Sequence, residues 1–283
     1  MSLRPLPEIK ASRPDKVSAF ELDDEAFDRW DPSLAPKAAG EHSITMLDVI
    51  GEDFSGNGVT AKRVIAALRT IGDNDVVVEL NSPGGDFFEG IAIYNALRAH
   101  PRKVTVRILA QAASAASVIA MAGDEIHIAK TAHLLLHCAW CLAIGNQFTL
   151  ADTIETLKPF DRSMAMAYAE RTGVTIEEAM AWMSKDKGEG TYFTGQEAID
   201  AGLADNFLPS DLIVRDCARA ARHDEIKATR YVDALFRQQG KTRSESRALL
   251  ADLKGGTHDA ASNAMQDAGT LAALERLSAI IRS

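Results

Sequence analysis

The chain has 283 residues, of which 46% are hydrophobic and 25% charged, a composition that can bury a sizeable core. Its net charge of -9 at pH 7 excludes a general nucleic-acid-binding role, which needs a basic face, and sets it against an anionic membrane surface. The three cysteines are an odd number, which argues against a disulfide framework and for a reducing compartment. The opening MSLRPLPEIK lacks the apolar stretch of a signal peptide, and no run approaches the roughly 20 apolar residues of a membrane span. A soluble, cytoplasmic protein is expected.

Residues 1–43 read as an irregular arm, because Pro5, Pro7, Pro14, Pro32 and Pro36 each remove a backbone donor and disfavour helix. Within it, Phe20 to Trp30 mixes acids with Phe27 and Trp30 and is a candidate to dock onto a body. From Ile44 onward, four short β-branched runs predict strands at 44–50, 76–80, 104–109 and 125–129. The second and third are nearly continuous apolar runs, as expected of strands covered on both faces. Between them, Val64, Ala67, Leu68 and Ile71 fall at helical spacing in 59–72, and Ile91, Tyr94, Ala96 and Leu97 do so in 87–99. Strands alternating with helices predict an α/β domain with parallel pairing.

A long helix is expected over 151–171, kinked at Pro159 and ended by Gly173, followed by a helix over 175–184 and a turn, KDKGEG. Thr194 then caps a short helix that Gly202 ends. Past Pro209 the composition shifts. Residues 211–253 read as charged and helical, GGTHDAASNA (with Gly255 and Gly256) as a flexible linker, and LAALERLSAII as an amphipathic end able to seek a partner helix. The domain reading is therefore an arm (1–43), a body (44–210) and a helical C-terminal extension (211–283).

Three segments carry chemistry. In QAASAASVIAMAG, an apolar strand runs into small residues and then a helix-forming stretch, which places Ser114 at a helix N-terminus whose unpaired N–H groups favour an oxyanion. The alternative is a serine that only caps the helix; Ser117, one turn on, reads as a packing residue. NSPGG (81–85) follows a strand, and its glycines can turn their N–H groups toward a ligand, although Asn-Ser-Pro-Gly is also ordinary turn chemistry. It lacks the spacing of a dinucleotide fingerprint. His137 closes the apolar run LLLHC, as a catalytic base or as a hydrogen-bonded core histidine, while His127 reads as structural. Cys138 and Cys141 form a CxxC without a second pair and read as buried thiols. No histidine set shares a helix face, so no metal or other cofactor is expected.

Taken together, NSPGG, then AASAASVIAMAG, then a strand ending in histidine, a long helix and FTGQEAIDAGLAD resemble the Clp protease proteolytic subunits (peptidase family S14), especially a phage and prophage head-maturation-like branch. The resemblance covers about 44–208. It implies a crotonase-like ββα spiral, a serine endopeptidase with Ser114 as nucleophile and His137 as base, and an oxyanion hole from the N–H groups of Gly85 and Ala115. By the same resemblance the helix at 151–171 is a handle through which rings stack. The family's third residue, an aspartate, falls on Gly190 when counted back from EAIDAGLAD. The neighbouring carboxylates are Glu189, favoured as the nearer, and Asp186.

The resemblance further implies homo-oligomeric, often stacked rings and protein or peptide substrates. The chain has no GxxxxGK[ST] loop, so any ATPase would be a separate protein; in the phage-like branch the substrates would be capsid or scaffold proteins. Two other readings stand beside it: a non-catalytic ring or shell protein, favoured by Gly190, and an acyl-CoA enzyme on the related crotonase fold, which needs no serine nucleophile.

Overall fold

Five parallel strands laid side by side make the frame that positions the site. The computed structural model describes residues 19–216 apart from 21–23, 39, 41, 53–57 and 144, together with 245, 248 and 249. In chain order its elements begin with β1 (Ala19–Phe20), α1 (Asp24–Arg29), β2 (Leu34–Pro36), β3 (Ser43–Met46), α2 (Ala61–Ile71) and β4 (Val76–Ser82). Then come α3 (Phe87–Arg98), β5 (Val104–Ala113), α4 (Ala115–Ala120), β6 (Glu125–Ile128), β7 (His133–Leu136) and β8 (Cys141–Leu142). The body closes with α5 (Gln147–Thr172), α6 (Ile176–Gly188), β9 (Thr191–Thr194), α7 (Gly195–Asp200), β10 (Asn206–Phe207) and β11 (Ile213–Arg215).

The sheet runs β10-β6-β5-β4-β3, all parallel. β5 has a second partner further along the same strand. Residues 105–108 pair with β6, and 111–113 pair with β7, which in turn pairs antiparallel with β9. The sheet therefore turns a corner along β5, and the corner leads directly to Ser114. The register between β4 and β5 shifts between Leu80 and Ser82, where β4 ends and NSPGG leaves the sheet.

Burial follows the apolar runs. Val78, Leu80, Val106, Ile108, Ile126 and Ile128 are fully buried, and Ile93, Tyr94 and Leu97 of α3 cover them. Local chemistry sets the helix ends. Thr60 accepts from the Arg63 N–H at 3.3 Å, Asp86 accepts from Phe88 and Glu89, and Thr175–Glu178 and Thr194–Glu197 form capping boxes. Gly173 ends α5 in the left-handed region at φ 82°.

The structure departs from the sequence reading in several places. The first strand stops at Met46 instead of running to 50, because Ile50 bridges both Val59 and Gly85 outside the ladder. β5 extends to Ala113, four residues beyond the run seen in the sequence, since small residues at 110–113 still pair with β7. The long helix starts at Gln147, capped by Asn146, and continues on both sides of Pro159.

Phe27 and Trp30 of the arm are buried, as are Ala26, Pro32, Ser33 and Ala35, and the arm contributes β1, α1 and β2. The expected helix from 211 does not begin there. Ser210–Leu212 is a 3₁₀ turn, and Ile213–Arg215 is a strand pairing antiparallel with β2, an edge its β-branched residues can extend. Beyond Asp216 only Glu245, Ala248 and Leu249 are described, all helical. The Gly255–Gly256 linker and the final amphipathic stretch lie outside the described residues.

One buried charge ties the frame together. Arg171, its side chain fully buried at the end of α5, donates to the Gly123 carbonyl at 3.1 Å and pairs with Asp205, which also accepts from the Ile126 N–H. Replacing it by methionine leaves the half-buried Asp205 without its charge partner. Arg171→Met is expected to cost about 3 kcal/mol, toward the low end for a broken buried pair; a urea midpoint unchanged from wild type would contradict this.

Candidate active site

Ser114 sits where β5 turns into α4, with φ 55° and ψ −126°. A non-glycine residue rarely holds such a conformation, and it persists only where its surroundings over-determine it. Here they do. The Ser114 N–H donates to the Leu135 carbonyl of β7 at 3.1 Å, and its own carbonyl accepts the Ser117 hydroxyl at 2.6 Å. The turn leaves Ser114 on the lining of a cavity, at the strand-to-helix position that a nucleophile elbow takes. Ala115 follows in the first turn of α4, where backbone N–H groups have no intrahelical acceptor.

Ser117 is fully buried, and its hydroxyl also shares a hydrogen bond with the Tyr168 hydroxyl of α5 at 2.9 Å. Burial pushes the Tyr168 phenol well above its ordinary range, so it stays protonated. Ser117 is thus a brace between α4 and α5, in keeping with its reading as a packing residue.

NSPGG lies against the elbow. The Ser82 hydroxyl donates to the Asp48 carbonyl at 2.6 Å and accepts from the Gly84 N–H, while the Gly84 carbonyl takes the Ile50 N–H at 2.8 Å. Gly84 and Gly85 have φ of 92° and 143°. A Cβ on Gly84 would stand 2.5 Å from the Ala113 carbonyl oxygen and 2.7 Å from the Ser114 Cβ; one on Gly85 would stand 2.2 Å from the Ile50 carbonyl oxygen. Only glycine lets this loop come so close to the serine.

His137 follows β7 directly and is 4% exposed. It lines one cavity with Gly85, Ser114 and Ala115, whose apolar wall includes Phe87, Met164 and the segment Cys138–Trp140. The structure therefore brings together four of the residues singled out from sequence.

The third position is arranged differently. Gly190 has φ 90°, and a Cβ there would meet the Leu136 carbonyl oxygen at 2.1 Å and the His137 Cβ at 2.6 Å. The 185–190 turn is pressed against the backbone that carries His137, with the Cys138 N–H donating to the Gly188 carbonyl at 3.3 Å. Asp186 and Lys187 are both left-handed, at φ 50° and 66°, and the Gly190 N–H closes the turn on the Lys185 carbonyl. Both candidate carboxylates, Asp186 and Glu189, have exposed side chains on this turn.

One functional neighbour escaped the sequence reading. Asp161 of α5 accepts from the Ala139 N–H at 2.6 Å and so holds the segment that follows His137, while the Cys138 thiol donates to the Met183 carbonyl at 3.5 Å. Burial raises the Asp161 carboxyl above the usual range. The same burial, reinforced by the Asp161 charge, pushes the Cys138 thiol up to about 11, and burial raises Cys141 too. Both are free, protonated thiols, and among the described residues no side-chain cluster fit for a metal is found. The available signal was an acid on an otherwise apolar stripe, since Leu157, Asp161, Met164 and Tyr168 share one helical face.

The parallel sheet, its crossing helices and the serine elbow at the end of β5 define a mixed α/β protein of the spiral kind the resemblance implied. The chain belongs to the Clp protease family: the family model described as Clp protease matches residues 39–211. Among curated proteins it is similar to an ATP-dependent Clp protease proteolytic subunit 1 of Leifsonia xyli subsp. xyli, 27% identical over 57% of this chain and 81% of that protein. It is likewise similar to a proteolytic subunit 3 of Rhodococcus jostii, 29% identical over 62% and 86% of the two chains. A proteolytic subunit 3 of Streptomyces coelicolor is 26% identical over 74% and 94%.

The tight fit at Gly190 gives a direct expectation. Gly190→Asp supplies the aspartate that counting placed there, but its Cβ cannot enter without moving Leu136 and His137. The variant is expected to lose thermal stability and to label more slowly with a serine-directed probe; faster labelling would show that the position accepts a catalytic aspartate.

Proposed function

We propose that this protein is a serine endopeptidase acting through an acyl-enzyme on Ser114. The observation that carries the proposal is the strained elbow at φ 55°, with the glycines of NSPGG against it and His137 in the same cavity. His137 takes the Ser114 proton as Oγ adds to the substrate carbonyl, and the N–H groups of Gly85 and Ala115 receive the negative charge that develops on its oxygen. The C–N bond then breaks as His137 returns the proton to the leaving amine. Water, deprotonated by His137, releases the second product and restores Ser114.

The carboxylate that orients His137 is proposed to come from the 185–190 turn. Proximity in sequence favours Glu189. The paired left-handed residues favour Asp186, since strain in a non-glycine residue is most readily retained where function fixes it. Asp186 is preferred on that ground, and Asp161 serves as the support of the Cys138–Ala139 segment.

Proteins of this family assemble into homo-oligomeric rings and act on protein substrates, and the same is proposed here. The curated relatives are named as ATP-dependent subunits, which supports a separate ATPase as partner. The narrower role, maturation of a phage or prophage head by cleavage of capsid or scaffold proteins, is supported by the motif resemblance alone.

Labelling with a fluorophosphonate, read by intact mass, tests the proposal. One adduct per chain is expected in wild type and in Asp186→Asn at a rate lowered about 100-fold or more, and none in Ser114→Ala. A folded, assembled wild type that takes no label would point to the non-catalytic shell reading.

A further inference from the structure

The arm that precedes the sheet packs against the strands that carry the site. Ala26 of α1 is fully buried and packs against Ala113, the residue before the nucleophile, and Leu135, whose carbonyl holds the Ser114 N–H. The Ala26 carbonyl accepts the buried Gln111 side-chain amide at 2.7 Å. Gln111 lies three residues before Ser114 on β5.

The same arm grips the other half of the site. The Trp30 indole N–H donates to the Asn81 carbonyl at 3.2 Å, and the Asn81 side-chain amide donates to the Asp31 and Leu34 carbonyls at 2.8 and 2.9 Å. Asn81 is fully buried and opens the NSPGG loop that ends in Gly85. On a third strand, Arg29 stacks over the Tyr192 ring at 4.5 Å, and Tyr192 is paired in register with Leu135. One stretch of nine residues, 26–34, thus touches β4, β5 and β9 and packs on β7, each within a few residues of an active-site group.

We infer that the 26–34 segment is a latch that holds the serine elbow and the NSPGG loop in register, with Gln111 and Asn81 as its positioning residues. Three backbone carbonyls of the arm are matched to two buried amides on separate strands, and such groups are costly to leave unpaired. Neither amide faces the cavity. They act on the spacing between the Ser114 turn and the Gly85 N–H, and a shift of a fraction of an ångström there weakens oxyanion stabilisation without touching the nucleophile. Displacing the latch, by a partner that binds the arm or by removal of residues up to 34, would switch the site off while the sheet stays folded.

The inference rests on Ser114 being the nucleophile only for its kinetic readout. Gln111→Met keeps the volume and removes the donor; Trp30→Phe changes only the arm. Both variants should keep the wild-type oligomeric state and a melting temperature within a few degrees, and label with a fluorophosphonate about tenfold more slowly, as expected for one hydrogen bond. In parallel, amide hydrogen exchange in peptides covering 83–86 and 113–116 should speed up about tenfold in both variants, with peptides covering β6 and α2 unchanged.

Wild-type protein that fails to label removes the assignment of Ser114 and leaves the exchange result to decide the latch. Exchange at 83–86 and 113–116 equal to wild type in both variants would overturn it, as would a fall in melting temperature with no change in labelling rate.

Discussion

The site depends on one backbone conformation, that of Ser114. A serine at φ 55° costs on the order of 1–3 kcal/mol relative to an ordinary turn. That cost is offset by contacts converging from three directions: the Leu135 carbonyl from β7, the Ser117 hydroxyl from within α4, and the close approach of Gly84 from the NSPGG loop. The corner in the sheet makes the convergence possible. β5 pairs first with β6 and then with β7, so that its last residues lie between the loop that ends β4 and the strand that leads to His137.

Much of this was legible in the sequence, because strong local signals and the tertiary result agree. The β-branched runs became strands, Thr194 caps a helix, and the small residues around Ser114 became a buried helix turn. The strand end at Met46 and the extension of β5 to Ala113 were not legible. They depend on Ile50 bridging to Gly85 and on β7 arriving beside 111–113, contacts between residues far apart in the chain. The strand at Ile213–Arg215 escaped for the same reason, since its partner β2 lies in the arm.

The least legible part lies around His137. Counting residues placed the third catalytic group on Gly190, where a positive φ and a carbonyl 2.1 Å from any added Cβ leave room only for glycine. What surrounds that glycine is a tight turn with two left-handed residues, and a count along the chain does not register how such a turn redirects the side chains before it. Asp161 was invisible for another reason. Its role comes from α5 lying under the Cys138–Ala139 segment, and a lone acid on a helix stripe carries no mark of that contact. The resulting wall of protonated thiol, methionine and aromatic groups keeps the surroundings of Ser114 apolar, where hydrogen bonds to a developing charge would count for most.

The central claim is that Ser114 and His137 act together on one bound substrate. A peptidyl chloromethyl ketone tests this most directly, because the serine must add to its carbonyl while the histidine displaces chloride from the adjacent carbon. Peptide mapping is expected to find the ketone on His137, at a yield that collapses in Ser114→Ala although the histidine is still present. Alkylation of His137 that proceeds equally well without Ser114, or that falls on Cys138 instead, would contradict the account.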